Sequence, residues 1–86
     1  MQYLIMSRSL TRAQRAALYL ERKGIGASVI KAPQELTGNG CGYAISLYRG
    51  FPEAVKLLKS AKLLNGKLFR RLENGEYTEV SELDLS

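Results

Sequence analysis

The sequence of 86 residues contains no histidine, no tryptophan and a single cysteine, Cys41. The absence of histidine excludes every mechanism in which an imidazole acts as base, proton shuttle or metal ligand. One cysteine cannot form a disulfide within the chain, and without histidine it cannot complete a structural zinc site. No apolar run approaches the roughly 18 residues that a membrane span needs. The remaining possibilities are thiol chemistry at Cys41, a basic binding module or a structural partner domain.

The length and composition are those of one small folded domain. The chain has a mass of 9.6 kDa, with 45% apolar and 24% charged residues. So short a chain could not bury a second hydrophobic core, and its apolar fraction is too high for a disordered segment. We therefore expect one soluble globular domain.

The net charge of +5 is unevenly distributed along the chain. Residues 1–31 carry +5, residues 32–48 carry −1, residues 49–71 carry +6 and residues 72–86 carry −5. Residues 1–71, the body of the chain, therefore carry a net charge of +10, which the acidic tail lowers to +5. A basic body attracts nucleic acid, anionic metabolites or an acidic protein surface, although it is also compatible with a solvated surface that the tail partly neutralises.

The N-terminal segment contains no recognisable targeting signal. Its apolar stretch, residues 1–6, is too short for the core of a signal peptide and is followed by polar Ser7 and Arg8. Because the chain has one free cysteine and no export signal, we expect a cytoplasmic protein without membrane association.

The first helix is predicted between two clear end signals. Thr11 forms a capping-box pattern with Gln14, and Lys23-Gly24 provides a basic last turn followed by a glycine that can adopt a left-handed conformation. Between them an apolar stripe recurs at helical spacing, formed by Ala13, Ala16, Ala17 and Leu20. These features predict an amphipathic helix packed on a core.

The remaining elements complete a β-α-β-β-α-β order. The predicted strands are residues 3–6, 27–31, 43–48 and 67–72, and a second helix begins at Pro52. This order predicts a ferredoxin-like fold, an α+β two-layer sandwich in which right-handed crossovers place both helices on one face of an antiparallel sheet. We assign residues 1–72 to this core domain and residues 73–86 to an acidic C-terminal hairpin strand and tail.

Residues 74–75, Asn-Gly, form the strongest short hairpin pattern in the chain. A two-residue turn at this point predicts a fifth strand in which Phe69 faces Val80 and Arg70 faces Glu79. Opposed apolar residues and opposite charges support that register.

Cys41 lies in the loop before the third strand, among glycines. In the predicted topology this loop emerges at the same end of the sheet as the N-terminus of the first helix. A helix N-terminus and nearby guanidinium groups favour a thiolate, and glycines allow backbone N–H groups to approach a sulfur anion. A free cysteine can equally be a small buried residue that opens a strand. Besides Cys41 as the reactive thiol, the candidate residues are Ser7, Arg8, Thr11, Arg12, Gly38, Gly40 and Gly42.

A longer pattern surrounds this cysteine. Pro33-Gln34-Glu35-Leu36 is followed, after a short polar gap, by Cys41-Gly42 at the start of a strand. Together with the opening apolar strand and an Ala/Leu helix that ends near Gly24-Ile25, this pattern resembles the selenium/sulfur carrier protein-like domains, which are small bacterial domains. The resemblance covers about residues 2–72, and the hairpin and tail lie outside it.

The resemblance implies a role for the thiol. Cys41 would hold a persulfide or perselenide, and Gly42 and the Glu35-Leu36 segment would shape its loop. A low-pKa thiolate would accept a sulfur atom and pass it on. The implied partners are donor and acceptor proteins of sulfur or selenium, and we expect a carrier rather than a catalyst, with no metal and no cofactor.

An RNA-binding module is an alternative, because the RNA-recognition motif has the same topology. Residues 42–44 and Tyr48 fit part of its strand signature, but Cys41 replaces the basic first position and Ile45 replaces the second stacking aromatic. The net charge of +10 on residues 1–71 is the stronger support for this alternative. The incomplete signature makes nucleic acid the less favoured partner.

A third interpretation is a regulatory or interaction domain that forms a homodimer through its sheet. The strand at residues 3–6 is apolar on both faces, while the predicted helices cover only one. The other face could pack on a second copy or beneath the tail. Acid–base catalysis has little support because Glu35 is the only carboxylate in the loop of Cys41.

Overall fold

The structure is a computed structural model that describes residues 2–37, 42–64 and 66–81. These residues form a mixed α+β domain. Its strands are β1 (Tyr3–Ser7), β2 (Ser28–Lys31), β3 (Tyr43–Leu47), β4 (Leu68–Arg71) and β5 (Tyr77–Val80). Its helices are α1 (Leu10–Arg22), α2 (Gln34–Thr37) and α3 (Phe51–Ser60).

The five strands form one antiparallel sheet in the order β2-β3-β1-β4-β5. The α+β class, the antiparallel sheet and the additional C-terminal strand are therefore confirmed. The central strand β1 pairs with β3 and β4, so that Ile5 lies opposite Ile45 on one side and Leu68 on the other. These three buried residues point to the face of the sheet on which α1 and α3 pack.

The core lies between that face and the two longer helices. The stripe predicted for α1 is buried along its whole length, and α3 contributes four buried residues, Phe51, Ala54, Val55 and Leu58. The ring of Phe51 stacks on that of Tyr3, with centroids 4.3 Å apart and planes inclined by 14°. Burial of such side chains stabilises the fold by about 1.5–3 kcal/mol each.

The first turn of α1 is capped by Ser9, and not by Thr11 as the sequence predicted. The Ser9 backbone is extended and its Oγ accepts a hydrogen bond from the Arg12 N–H at 3.3 Å. Thr11 lies inside the first turn and is exposed. The helix starts earlier because Ser9 already offers the short oxygen side chain that a cap requires. Its C-terminal end is as predicted, with Gly24 at φ +85° after the Lys23 cap.

The predicted hairpin forms, but its register is wrong by one residue. Phe69 lies opposite Glu79 and Arg70 opposite Thr78. The register shifts because the turn contains three residues instead of two. The Leu72 N–H donates to the Glu76 carbonyl oxygen at 2.7 Å, which leaves residues 73–75 in the turn. Gly75 adopts φ +88°, the left-handed conformation that closes such a turn.

The face of the sheet away from the helices is partly covered within the single chain. Leu4 and Ala44 point to this face and are both 0% exposed, whereas Met6, Ile30 and Phe69 are half-buried. Homodimer formation through this face stays a prediction. None of the helices in the described ranges is long and apolar enough to cross a membrane.

Candidate functional site

The candidate site lies at the end of the sheet where β1 meets α1. Ser7, the last residue of β1, is buried, and its Oγ donates a hydrogen bond to the Ser9 carbonyl oxygen at 3.1 Å. The same Oγ accepts one from the Ser9 N–H at 3.4 Å. These two hydrogen bonds hold the tight turn from which α1 starts.

Gly42 brings the end of the Cys41 loop directly against this turn. A Cβ added to Gly42 would lie 3.6 Å from the Ser7 carbonyl oxygen, 3.4 Å from the Thr37 Cγ2 and 3.8 Å from the Ala32 Cβ. The Ala32 N–H also donates to the Gly42 carbonyl oxygen at 3.0 Å. The residue that follows Cys41 in sequence is therefore buried among β1, α2 and the end of β2.

Gly66 packs against the other side of β1 at the same end. The Met6 N–H donates to the Lys67 carbonyl oxygen at 2.9 Å, which brings the two backbones together. A Cβ on Gly66 would overlap the Met6 carbonyl group, lying 2.8 Å from its carbon atom. The sequence did not indicate this close approach.

Thr37 is a second residue that the sequence did not indicate. It ends α2, a single helical turn within a segment that the sequence predicted as an irregular connection. Its hydroxyl donates to the Pro33 carbonyl oxygen at 3.5 Å, and its methyl group faces Gly42. Pro33 immediately before the turn was the available signal, because proline favours the start of a helix.

The predicted site residues fall into three groups. Ser7 and Gly42 are buried and lie close together. Arg8, Thr11, Arg12 and Glu35 are exposed, the first three around the first turn of α1 and the last in α2. Cys41, Gly38 and Gly40 lie outside the described residues.

The charged groups around the start of α1 are cationic. Arg8 and Arg12 flank the start of α1, whose first turn contains no acid. Within the described ranges no ion pair joins either guanidinium to a carboxylate, whereas Lys67 lies 3.7 Å from Glu79 on β5. Among these residues no group of three His, Cys, Asp or Glu side chains could hold a metal ion. A positive helix terminus and nearby arginines produce a field that favours an anion.

The aromatic residues do not form the stacking platform of an RNA-recognition motif. Tyr43 lies opposite Ser7 in the sheet and points to the helix-covered face, where it packs against the core. Tyr3 points the same way and stacks on Phe51. RNA bases stack on aromatic side chains of the uncovered sheet surface in that motif, so the RNA-binding alternative is not supported.

The chain matches a known family model. The family model described as "Putative Se/S carrier protein-like" matches residues 2–70, which include every element from β1 to α3 and most of β4. Comparison with curated proteins and with solved structures gave no match. Because the family model covers well over half of the chain, from the first strand to the fourth, the chain belongs to the Se/S carrier protein-like family.

Proposed function

We propose that this protein carries sulfur, or its congener selenium, as a persulfide or perselenide on Cys41. The observation that carries the proposal is the family match over residues 2–70, which spans the Pro33-Gln34-Glu35-Leu36 segment and Cys41-Gly42. The burial of Gly42 against Ser7 adds support, because it ties the residue after the thiol to the cationic end of the sheet.

The fold fits this assignment. We infer that the order β2-β3-β1-β4 is the ferredoxin-like arrangement that the sequence predicts, to which β5 is added at one edge. In that arrangement the β2–β3 connection, which contains Cys41, emerges at the N-terminal end of α1. Fold alone does not give function, so the proposal depends on the residues at this end.

The proposed chemistry is a thiol exchange that needs no cofactor. The Cys41 thiolate attacks the outer sulfur of a donor persulfide, R–S–SH. The new S–S bond forms on Cys41 while the donor's S–S bond breaks, and the donor leaves as the thiolate R–S⁻. The product is Cys41–S–SH, and an acceptor thiolate repeats the exchange, so that no net oxidation or reduction occurs.

The neighbouring residues would favour the reactive form of the thiol. Arg8 and Arg12 supply positive charge, and the first turn of α1, which includes Thr11, supplies the positive end of a helix dipole. Gly38, Gly40 and Gly42 would let backbone N–H groups approach the sulfur, while Ser7 holds the turn and Glu35 lies in the loop's helical turn. Donor and acceptor proteins are the expected partners, in a reducing compartment such as the cytoplasm.

The test is the alkylation rate of Cys41 at pH 7. With iodoacetamide the folded protein should react at least several-fold faster than the same chain in urea, because only the folded state provides the cationic field. Arg8→Gln and Arg12→Gln should each lower the alkylation rate of the folded protein. Lys56→Gln, a substitution at an exposed position on α3, should leave that rate unchanged. A folded rate no higher than the rate in urea would overturn the proposal.

A further inference from the structure

The outer surface of α1 carries a row of four exposed side chains that we call the α1 ridge. It consists of Thr11, Arg15, Leu18 and Arg22, whose spacing of four, three and four residues places them along one line of the helix. The opposite side of α1 is buried in the core. At 1.5 Å per residue the ridge is about 16 Å long.

The arginines of the α1 ridge have no neutralising neighbours. Neither Arg15 nor Arg22 has an acid three or four residues away in either direction, which is where a helical ion pair would form. Within the part of the chain that the structure describes, no ion pair joins either guanidinium to a carboxylate. Two uncompensated guanidinium groups remain available for an external anionic surface.

Leu18 lies between the two arginines and is 49% exposed. A protein partner would remove this half-exposed apolar side chain from water, and arginine is one of the residue types enriched at protein interfaces and among their energetically dominant residues. Nucleic acid binding would use the arginines without Leu18, because phosphate contacts supply most of that affinity. The ridge therefore fits a partner with both an acidic rim and an apolar pocket.

We propose that the α1 ridge docks an acidic protein that delivers sulfur to Cys41. The ridge begins at Thr11, in the first turn of α1, which Ser9 caps through the Arg12 N–H. Ser9 is hydrogen-bonded to Ser7, and Gly42 packs against the Ser7 carbonyl oxygen. A partner lying along α1 reaches the cationic end of the sheet with one end of its contact surface. This inference rests on the proposed carrier function and names the chemistry of the donor's docking surface.

The binding test uses a purified acidic cysteine desulfurase, a pyridoxal-phosphate enzyme that forms a protein persulfide, as the probe. Its affinity for the full chain is measured by fluorescence anisotropy at low and high salt. Arg15→Glu and Arg22→Glu should each weaken binding about tenfold, and Leu18→Ala should do the same through loss of the apolar anchor. The matched controls are Lys56→Glu on α3 and Tyr48→Ala, which removes a side chain that is 65% exposed.

Each outcome decides the inference. Weaker binding by the ridge variants alone, together with a loss of affinity at high salt, supports it. Equal effects of ridge and control variants overturn it, as does an absence of binding to the desulfurase at low salt. Binding of single-stranded RNA that Arg15→Glu abolishes and Leu18→Ala leaves unchanged would make nucleic acid the occupant and also overturn it.

A second measurement separates this inference from the proposed function. Inorganic polysulfide is a small donor that needs no docking surface, so it should load the wild type and the Arg15→Glu variant equally. Failure of polysulfide to load Cys41 would contradict the carrier function, whereas the anisotropy result reports on the ridge alone. The two failures are therefore distinguishable.

Discussion

Gly42 lies against the carbonyl oxygen of Ser7, at a distance where an added Cβ would come within 3.6 Å of that oxygen. The contact joins the residue after Cys41 to the last residue of the central strand. Ser7 is hydrogen-bonded through its side chain to Ser9, the cap of α1. Gly42, the end of β1 and the start of α1 therefore pack together at one end of the sheet.

This packing predicts a graded response to side-chain size at Gly42. Gly42→Ala should change the free energy of unfolding by less than about 1 kcal/mol, because its Cβ makes only ordinary contacts. Gly42→Val should cost about 1–3 kcal/mol, because the added methyl groups would displace Thr37. Urea denaturation measures both values.

The control for this prediction is a double-mutant cycle with Thr37→Ala. Removal of the Thr37 methyl group should recover part of the cost of Gly42→Val, since the two side chains compete for the same space. Strictly additive effects would mean that Thr37 does not contact this position.

Gly66 is expected to tolerate no side chain at all. Gly66→Ala should destabilise the protein by about 2–3 kcal/mol, because its Cβ would overlap the Met6 carbonyl group and separate β1 from the start of β4. Gly26→Ala is the matched control, since nothing lies within 4 Å of a Cβ at that position. Thermal unfolding of both variants tests the prediction, and equal melting temperatures would contradict it.

Ser9 and Thr11 can be distinguished as caps of α1 by two alanine variants. Ser9→Ala should lower the free energy of unfolding by about 1 kcal/mol, because the Arg12 N–H loses its side-chain acceptor. Thr11→Ala should have an effect within about 0.5 kcal/mol, as expected for an exposed helical position. The reverse order in urea denaturation would show that Thr11 is the cap.

The Tyr3–Phe51 stack should be the most costly aromatic contact to remove. Phe51→Ala should cost about 3–5 kcal/mol, because the ring is 1% exposed and the cavity could not collapse fully. Tyr3→Phe should be tolerated because it keeps the stacked ring. Tyr48→Ala serves as the control, with an effect within about 0.5 kcal/mol at a residue that is 65% exposed. Similar costs for Phe51→Ala and Tyr48→Ala in calorimetry would contradict the packing.

The elements of the fold could be predicted from the sequence because their apolar spacing is regular. The stripe of α1 repeats every three or four residues, and the strands are short apolar runs between turn residues. The hairpin register could not be predicted in the same way. Apolar and polar or charged residues are mixed on both faces of β4 and β5, so the apolar pattern does not select one register. The turn decides the register instead, and its length depends on the left-handed conformation of Gly75.

The candidate site was less predictable than the fold. The sequence indicated Ser7 and Gly42 from topology and motif, and the structure brings these two together. It did not indicate Gly66 or Thr37, because their importance comes from contacts with residues far apart in the chain or across a helical turn. Such close approaches depend on tertiary packing, which spacing along one chain does not reveal.

The central claim is that Cys41 accepts sulfur, and intact-protein mass spectrometry after incubation with polysulfide tests it most directly. We expect a gain of about 32 Da for one sulfur atom, its removal by a thiol acceptor, and no gain for Cys41→Ser. A wild-type mass that does not change, or an equal gain in Cys41→Ser, would contradict the claim.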